Sequence, residues 1–232
     1  MIMRKILISV ICIIMLGILP VSASQNPAEL KSRQEKQEFV SKVGFRLLNS
    51  NRIKERMVFQ YDSKNIVNAV THYHGRHIVI YDGIMNYTTD EDMVAAILAH
   101  EISHGIDYYN GIFRGTFSCL PTLFTPRKFE RKADKRAIDF MVNAGYNPVA
   151  MIVMMNKTFA QDRYEFFATH PLTSRRMAYI YEYIYYKYPE FLKNNKYIED
   201  IYYQNFLLNS QDNRRKLQRK IESHSRENIN YD

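Results

Sequence analysis

Two histidines and a glutamate in the run His100-Glu101-Ile102-Ser103-His104 are the residues of this chain best suited to chemistry. On an α-helix, residues four apart stand one above the other, so both imidazoles leave one face at a spacing that closes on a single metal ion. Glu101 is rotated about 100° from His100. That takes it out of the ligand plane and suits it to act as a base on a metal-activated water. The chemistry predicted is metal-assisted hydrolysis of an amide.

The neighbours decide whether such a pentapeptide is a site or a coincidence. A surface helix with two solvated histidines would carry polar residues around them. Here Asp90-Glu91-Asp92 leads into Met93 to Ala99 without a polar residue, an acidic first turn followed by the pattern of a buried helix. Thr88 or Thr89 is the expected cap, with Glu91 or Asp92 completing an approximate capping box. Burying two imidazoles and a carboxylate is costly unless they are paired or metal-bound.

Two histidines and a water leave tetrahedral zinc one protein ligand short. Ile106-Asp107-Tyr108-Tyr109 holds no further histidine, so the third ligand must come from elsewhere. In Glu130-Arg131-Lys132-Ala133-Asp134 two carboxylates four apart share a helix face. Glu130 is the candidate ligand, and Asp134 the candidate acceptor that fixes the tautomer of a ligand imidazole. His72, His74 and His77 are a weaker group. In a continuous strand the first two share a face and His77 takes the other, so they are expected to be surface or turn histidines.

The elements that must hold these residues read as an α+β, mostly helical domain. Pro27 to about Leu48 has apolar residues at helical spacing. Met57–Tyr61, Ile66–Val70 and His77–Tyr81 are short β-rich runs split by turn residues, predicting a small antiparallel sheet ahead of the histidine helix. The Ile78 to Tyr81 strand is the expected edge for pairing with an extended substrate. Gly111 to Pro126 is an apolar connection broken by glycine and proline, either a flap or a packed linker. A helix from near Arg127 should end at Ala144-Gly145, with glycine as a left-handed cap. Asn147-Pro148 should start the next, and Thr173 or Ser174 should cap a tyrosine-rich helix.

The chain has 232 residues, enough for one sizeable core. Residues 1–23 read as a secretory signal peptide: Arg4 and Lys5, an apolar core from Ile6 to Leu19, then Val21-Ser22-Ala23. An uncleaved membrane anchor is the alternative. A peptidase-like unit over 24–188 and a charged, helical extension over 189–232 complete the expected organisation, with an exported, periplasmic or extracellular protein as the consequence. Cys119 is then the lone cysteine, so no intramolecular disulfide is available. The formal charge of +8 becomes +6 once Arg4 and Lys5 are removed. Its concentration in Arg214-Arg215-Lys216 and Arg219-Lys220 lacks interleaved aromatics, which favours a solvated helix face over a nucleic-acid surface.

Four motifs in order resemble one known family. The HExxH helix, the Glu-x-x-x-Asp helix, Ala144-Gly145-Tyr146-Asn147-Pro148, and His170-Pro171-x-Thr173-Ser174-x-Arg176 look like the zinc metallopeptidases grouped with HtpX and the CAAX prenyl proteases, with their Ste-type, Oma-type and BepA-like branches. Asn68-Ala69 also matches, and the likeness covers about Phe39 to Ile180. The resemblance implies a gluzincin-type endopeptidase with one zinc on His100, His104 and Glu130, Glu101 as general base and Asp134 behind the ligands. It further implies that His170 stabilises the oxyanion and that Arg176 supports the site. Lacking the transmembrane helices of the membrane branches, the chain is most similar to the soluble exported members, which implies protein or peptide substrates and a setting such as quality control. A chaperone or binding module with a closed, regulated site is the competing reading. The intact Glu101 favours the enzyme, since a pure binder needs no base.

Overall fold

Arg33–Ser50 forms the first helix, α1, and a reciprocal capping box fixes its start: Ser32 Oγ accepts from Glu35 N while Ser32 N donates to the Glu35 carboxylate. Phe39, Val40, Val43, Leu47 and Leu48 recur at helical spacing and are buried. The architecture is that of a computed structural model, which describes residues 27, 30, 32–72, 76–109, 126–158 and 173–231. The expected signal 1–23, His74, the Gly111 to Pro126 connection apart from the backbone of Pro126, and His170 lie outside the described residues.

Three strands follow: β1 Val58–Asp62, β2 Ala69–His72 and β3 His77–Tyr81. The sheet order is β1-β3-β2, with β3 parallel to β1 and antiparallel to β2. The expected sheet is therefore present but mixed. After β1 the chain crosses to the far edge, forms β2, and returns as β3 between its predecessors. Central position explains why Ile78, Val79 and Ile80 are all buried, the continuous run of a strand covered on both faces. It also removes β3 as a substrate edge, because both of its sides are paired; among the described residues β2 pairs with β3 alone. Gly44 of α1 lets the helix close on the sheet, as a Cβ there would lie 2.5 Å from the Phe59 ring.

The short α2, Asp82–Met85, leads into the histidine helix α3, Glu91–Tyr109. Its cap is Asp90, whose Oδ1 accepts from Met93 N at 3.0 Å. The expected caps do other work: the Thr88 hydroxyl donates to Met85 O, and that of Thr89 points to Met93 Sδ. Every residue from Met93 to Ser103 is buried.

Alongside α3 runs α4, Pro126–Asn143, with Ala133, Ala137, Ile138 and Met141 buried. Asp107 near the end of α3 pairs with Lys132 and Arg136, and Arg136 also donates to Ser103 O. These contacts fix the register of the two helices. As expected, α4 stops at a left-handed Gly145, φ +76°. Gly145 N donates to Val142 O and Tyr146 N to Met141 O, which together form a Schellman cap.

Asn147 Oδ1 then accepts from Val149 N ahead of α5, Ala150–Thr158. Helix α6, Thr173–Lys187, packs on α4 and α5. Beyond it the described residues form three further helices joined by turns, α7 Glu190–Lys193, α8 Ile201–Asn209 and α9 Gln211–Glu222. This part folds back onto the core. Tyr203 and Phe206 of α8 are buried next to α5, and Tyr231 seals against Tyr179 with its hydroxyl toward Glu182. The basic residues of α9 behave as a helix face, with Arg215 exposed and Lys220 paired to Glu182.

Candidate metal centre

The 3.6-residue period brings His100 and His104 of α3 together, with ring centroids 4.6 Å apart and Nε2 atoms 3.0 Å apart. Helix α4 supplies Glu130 opposite them. One carboxylate oxygen lies 3.4 Å from His100 Nε2 and the other 3.3 Å from His104 Nε2. The three ligand atoms fall within 4.8 Å of one another, and two imidazoles with a carboxylate are a donor set that fits a divalent transition metal. Among the described residues, this is the group of His, Cys, Asp and Glu able to hold a metal ion.

Behind the ligands, Asp134 Oδ1 lies 3.1 Å from His100 Nδ1. That contact turns Nε2 toward Glu130 and His104, the outer-shell arrangement that orients a ligand imidazole. Arg176 of α6 holds Asp134 from the other side, donating from Nε at 2.8 Å and Nη2 at 2.7 Å, while Nη1 reaches Glu130 at 3.1 Å. Asp134 is 2% exposed and Arg176 7%, so the fork is desolvated.

The electrostatics follow from burial and pairing. Burial would raise the Asp134 carboxyl, but the Arg176 guanidinium outweighs it and holds the group down at about 2. Burial likewise disfavours a charged His100, yet Asp134 and Glu130 lift its pKa to about 10. A metal ion bound at this ring would have to displace a proton.

Glu101 is buried beside the histidines at 5% exposure. Thr71 of β2 meets it, with Oγ1 2.7 Å from Glu101 Oε2 and 2.9 Å from Glu101 O. Thr71 carries no motif, so sequence reasoning missed it. Tyr108 was also missed, although it continues the His100, His104 spacing by one turn. Burial, then the Glu101 and Glu130 carboxylates, push its phenol upward.

His72 and His77 are directly opposed across the β2–β3 hairpin, with rings 5.6 Å apart. They face the same side because the chain reverses between them, where a continuous strand would have separated them. His77 Nε2 lies 2.7 Å from Gln60 Oε1. A small, partly open apolar pocket adjoins the centre, lined by Ala69, Ala96, Ile97, Met151, Met154 and Met155 together with His100, Glu101 and Arg176.

A model of peptidase family M48 matches residues 34–107 and 111–184. The chain is similar to the beta-barrel assembly-enhancing protease of Escherichia coli strain K12, 24% identical over 184 residues, covering 61% of this chain and 37% of that protein. The protein of the same name from Yersinia pestis is 24% identical over 182 residues, with the same coverage. The chain thus spans under two fifths of the length of these curated relatives. The family match runs through the helices that carry His100, His104, Glu130, Asp134 and Arg176, and the chain belongs to peptidase family M48, a family of metallopeptidases.

Proposed function

We propose that the protein is a zinc-dependent endopeptidase that cleaves exported proteins. The observation that carries this reading is the convergence of His100, His104 and Glu130 on one point, with Glu101 beside them and the Asp134–Arg176 fork behind. Two imidazoles and one carboxylate, with a position left for water, are the ligands of a catalytic zinc. When bound, zinc supplies Lewis-acid polarisation of the scissile carbonyl and lowers the pKa of water to about 7.

The chain's own residues do the rest. Glu101 accepts the proton of the attacking water and passes it to the leaving amine. Asp134, kept ionised by Arg176, holds the His100 ring in register. Strand β2 offers an unpaired edge among the described residues, and Ala69 at its start lines the apolar cavity. An extended peptide on that edge passes the base and seats an apolar side chain in the cavity. His170, from the family resemblance, is proposed to share the charge on the carbonyl oxygen.

Export rests on residues 1–23 as a signal peptide, with 24–188 as the peptidase unit and 189–232 as its extension. No helix among the described residues is long and apolar enough to cross a membrane. The relatives' name, a protease that enhances β-barrel assembly, supports exported proteins in assembly or quality control as the substrate class, in the periplasm or outside the cell.

Elemental analysis of wild type, His104→Ala and Glu130→Gln tests the ligand set. One zinc per wild-type chain, lost from both variants together with casein cleavage, is the expected result. Full zinc in Glu130→Gln would remove Glu130 from the centre.

A further inference from the structure

We infer that Thr71 is a positioning residue for Glu101, holding the carboxylate in the orientation that proton transfer needs. The inference rests on the reading of Glu101 as the base. Thr71 Oγ1 contacts both the carboxylate, at 2.7 Å, and the backbone oxygen of the same residue, at 2.9 Å. A hydroxyl has one proton to give, and Glu101 Oε2 is the nearer of its two acceptors. The proton therefore goes to Oε2.

The hydroxyl is itself held in place. Thr71 pairs with Ile78 in the β2–β3 register, and a β-branched side chain has few rotamers at χ1. A strand thus aims the hydroxyl at a helix thirty residues away in sequence. Glu101 is 5% exposed, so solvent does little to orient it. Because Thr71 touches the base and not the metal ligands, its loss should slow turnover while leaving metal content and substrate affinity intact. Strand β2 then has two tasks, since the edge proposed to receive the peptide also fixes the base.

The test compares Thr71→Val, which keeps the shape and removes the hydroxyl, with Thr71→Ser, which restores it. In zinc-loaded protein, kcat should fall roughly tenfold to hundredfold in Thr71→Val, part of the 10²–10⁴ that a positioned acid–base group contributes. KM and zinc content should stay unchanged, and Thr71→Ser should recover most of the rate. Independently of activity, urea unfolding of metal-free Thr71→Val, Glu101→Ala and the double variant should be non-additive, as expected for two groups in contact.

Wild-type kcat in Thr71→Val, an additive cycle, or failure of serine to rescue would each overturn the inference. A wild type that cleaves no peptide while the cycle remains coupled would instead sink the peptidase reading, which keeps the two failures distinct.

Discussion

Asp134 receives two parallel hydrogen bonds from Arg176, from Nε at 2.8 Å and Nη2 at 2.7 Å, in a setting where neither residue is more than 7% exposed. Such a fork fixes direction as well as charge. Removing one member strands the other in a low dielectric. Arg176→Met should therefore destabilise the metal-free protein by roughly 3–5 kcal/mol, the range for breaking a buried pair, as read by urea unfolding. Arg176→Lys should recover only part of this, because an ammonium cannot span both carboxylate oxygens.

In the proposed zinc centre, Asp134 would act on the metal through His100. Asp134→Asn keeps the shape of the side chain but weakens its hold on His100 Nδ1. Zinc affinity, measured by competition with a chromogenic chelator, should fall by roughly 10–100-fold. Glu130→Gln removes a proposed direct ligand and should cost more than that. Equal affinities for wild type and Asp134→Asn would show that the 3.1 Å contact does not orient the ligand.

Away from the centre, Lys36 of α1 and Tyr61 of β1 both donate to Asp82, at 2.6 and 2.5 Å. Burial alone would raise the Asp82 carboxyl, but the ammonium and the phenol lower it on balance. Lys36 moves upward, because the same pairing outweighs its own burial. A carboxyl depressed in the folded state stabilises above its unfolded pKa of about 3.9, and that contribution is lost as pH falls through the folded value. A raised lysine stabilises below about 10.4 and loses its contribution as pH rises through the folded value. Asp82→Asn should thus cost about 1–3 kcal/mol near neutral pH, and the gap to wild type should close as pH falls through the depressed carboxyl value of the folded state. A gap that persists under acid would mean that the contact is packing and not charge.

What the sequence made legible was local. The apolar run from Met93 and the four-residue spacings His100/His104 and Glu130/Asp134 are periodic signals, and both helices carry these pairs together. The Gly145 cap was equally readable, because a positive φ narrows the choice of residue. The start of α3 was missed by one or two positions, since Thr88, Thr89 and Asp90 are all competent caps and only the path of the chain chooses among them. Sheet order was not legible. The residues between β1 and β2 are few, and no local preference says that β3 will insert between the two. Thr71 beside Glu101 and Tyr231 beside Tyr179 depend on contacts across 30 and more residues, which appear only when the elements dock.

The most direct test of the central claim is casein cleavage by wild type and Glu101→Gln, each purified in mature form, loaded with zinc and assayed at equal metal content. The change exchanges one carboxylate oxygen for an amide and leaves His100, His104 and Glu130 untouched. The account predicts one zinc per chain in both proteins and a turnover rate roughly 10²–10⁴ lower in the variant. Equal rates in the two would contradict it.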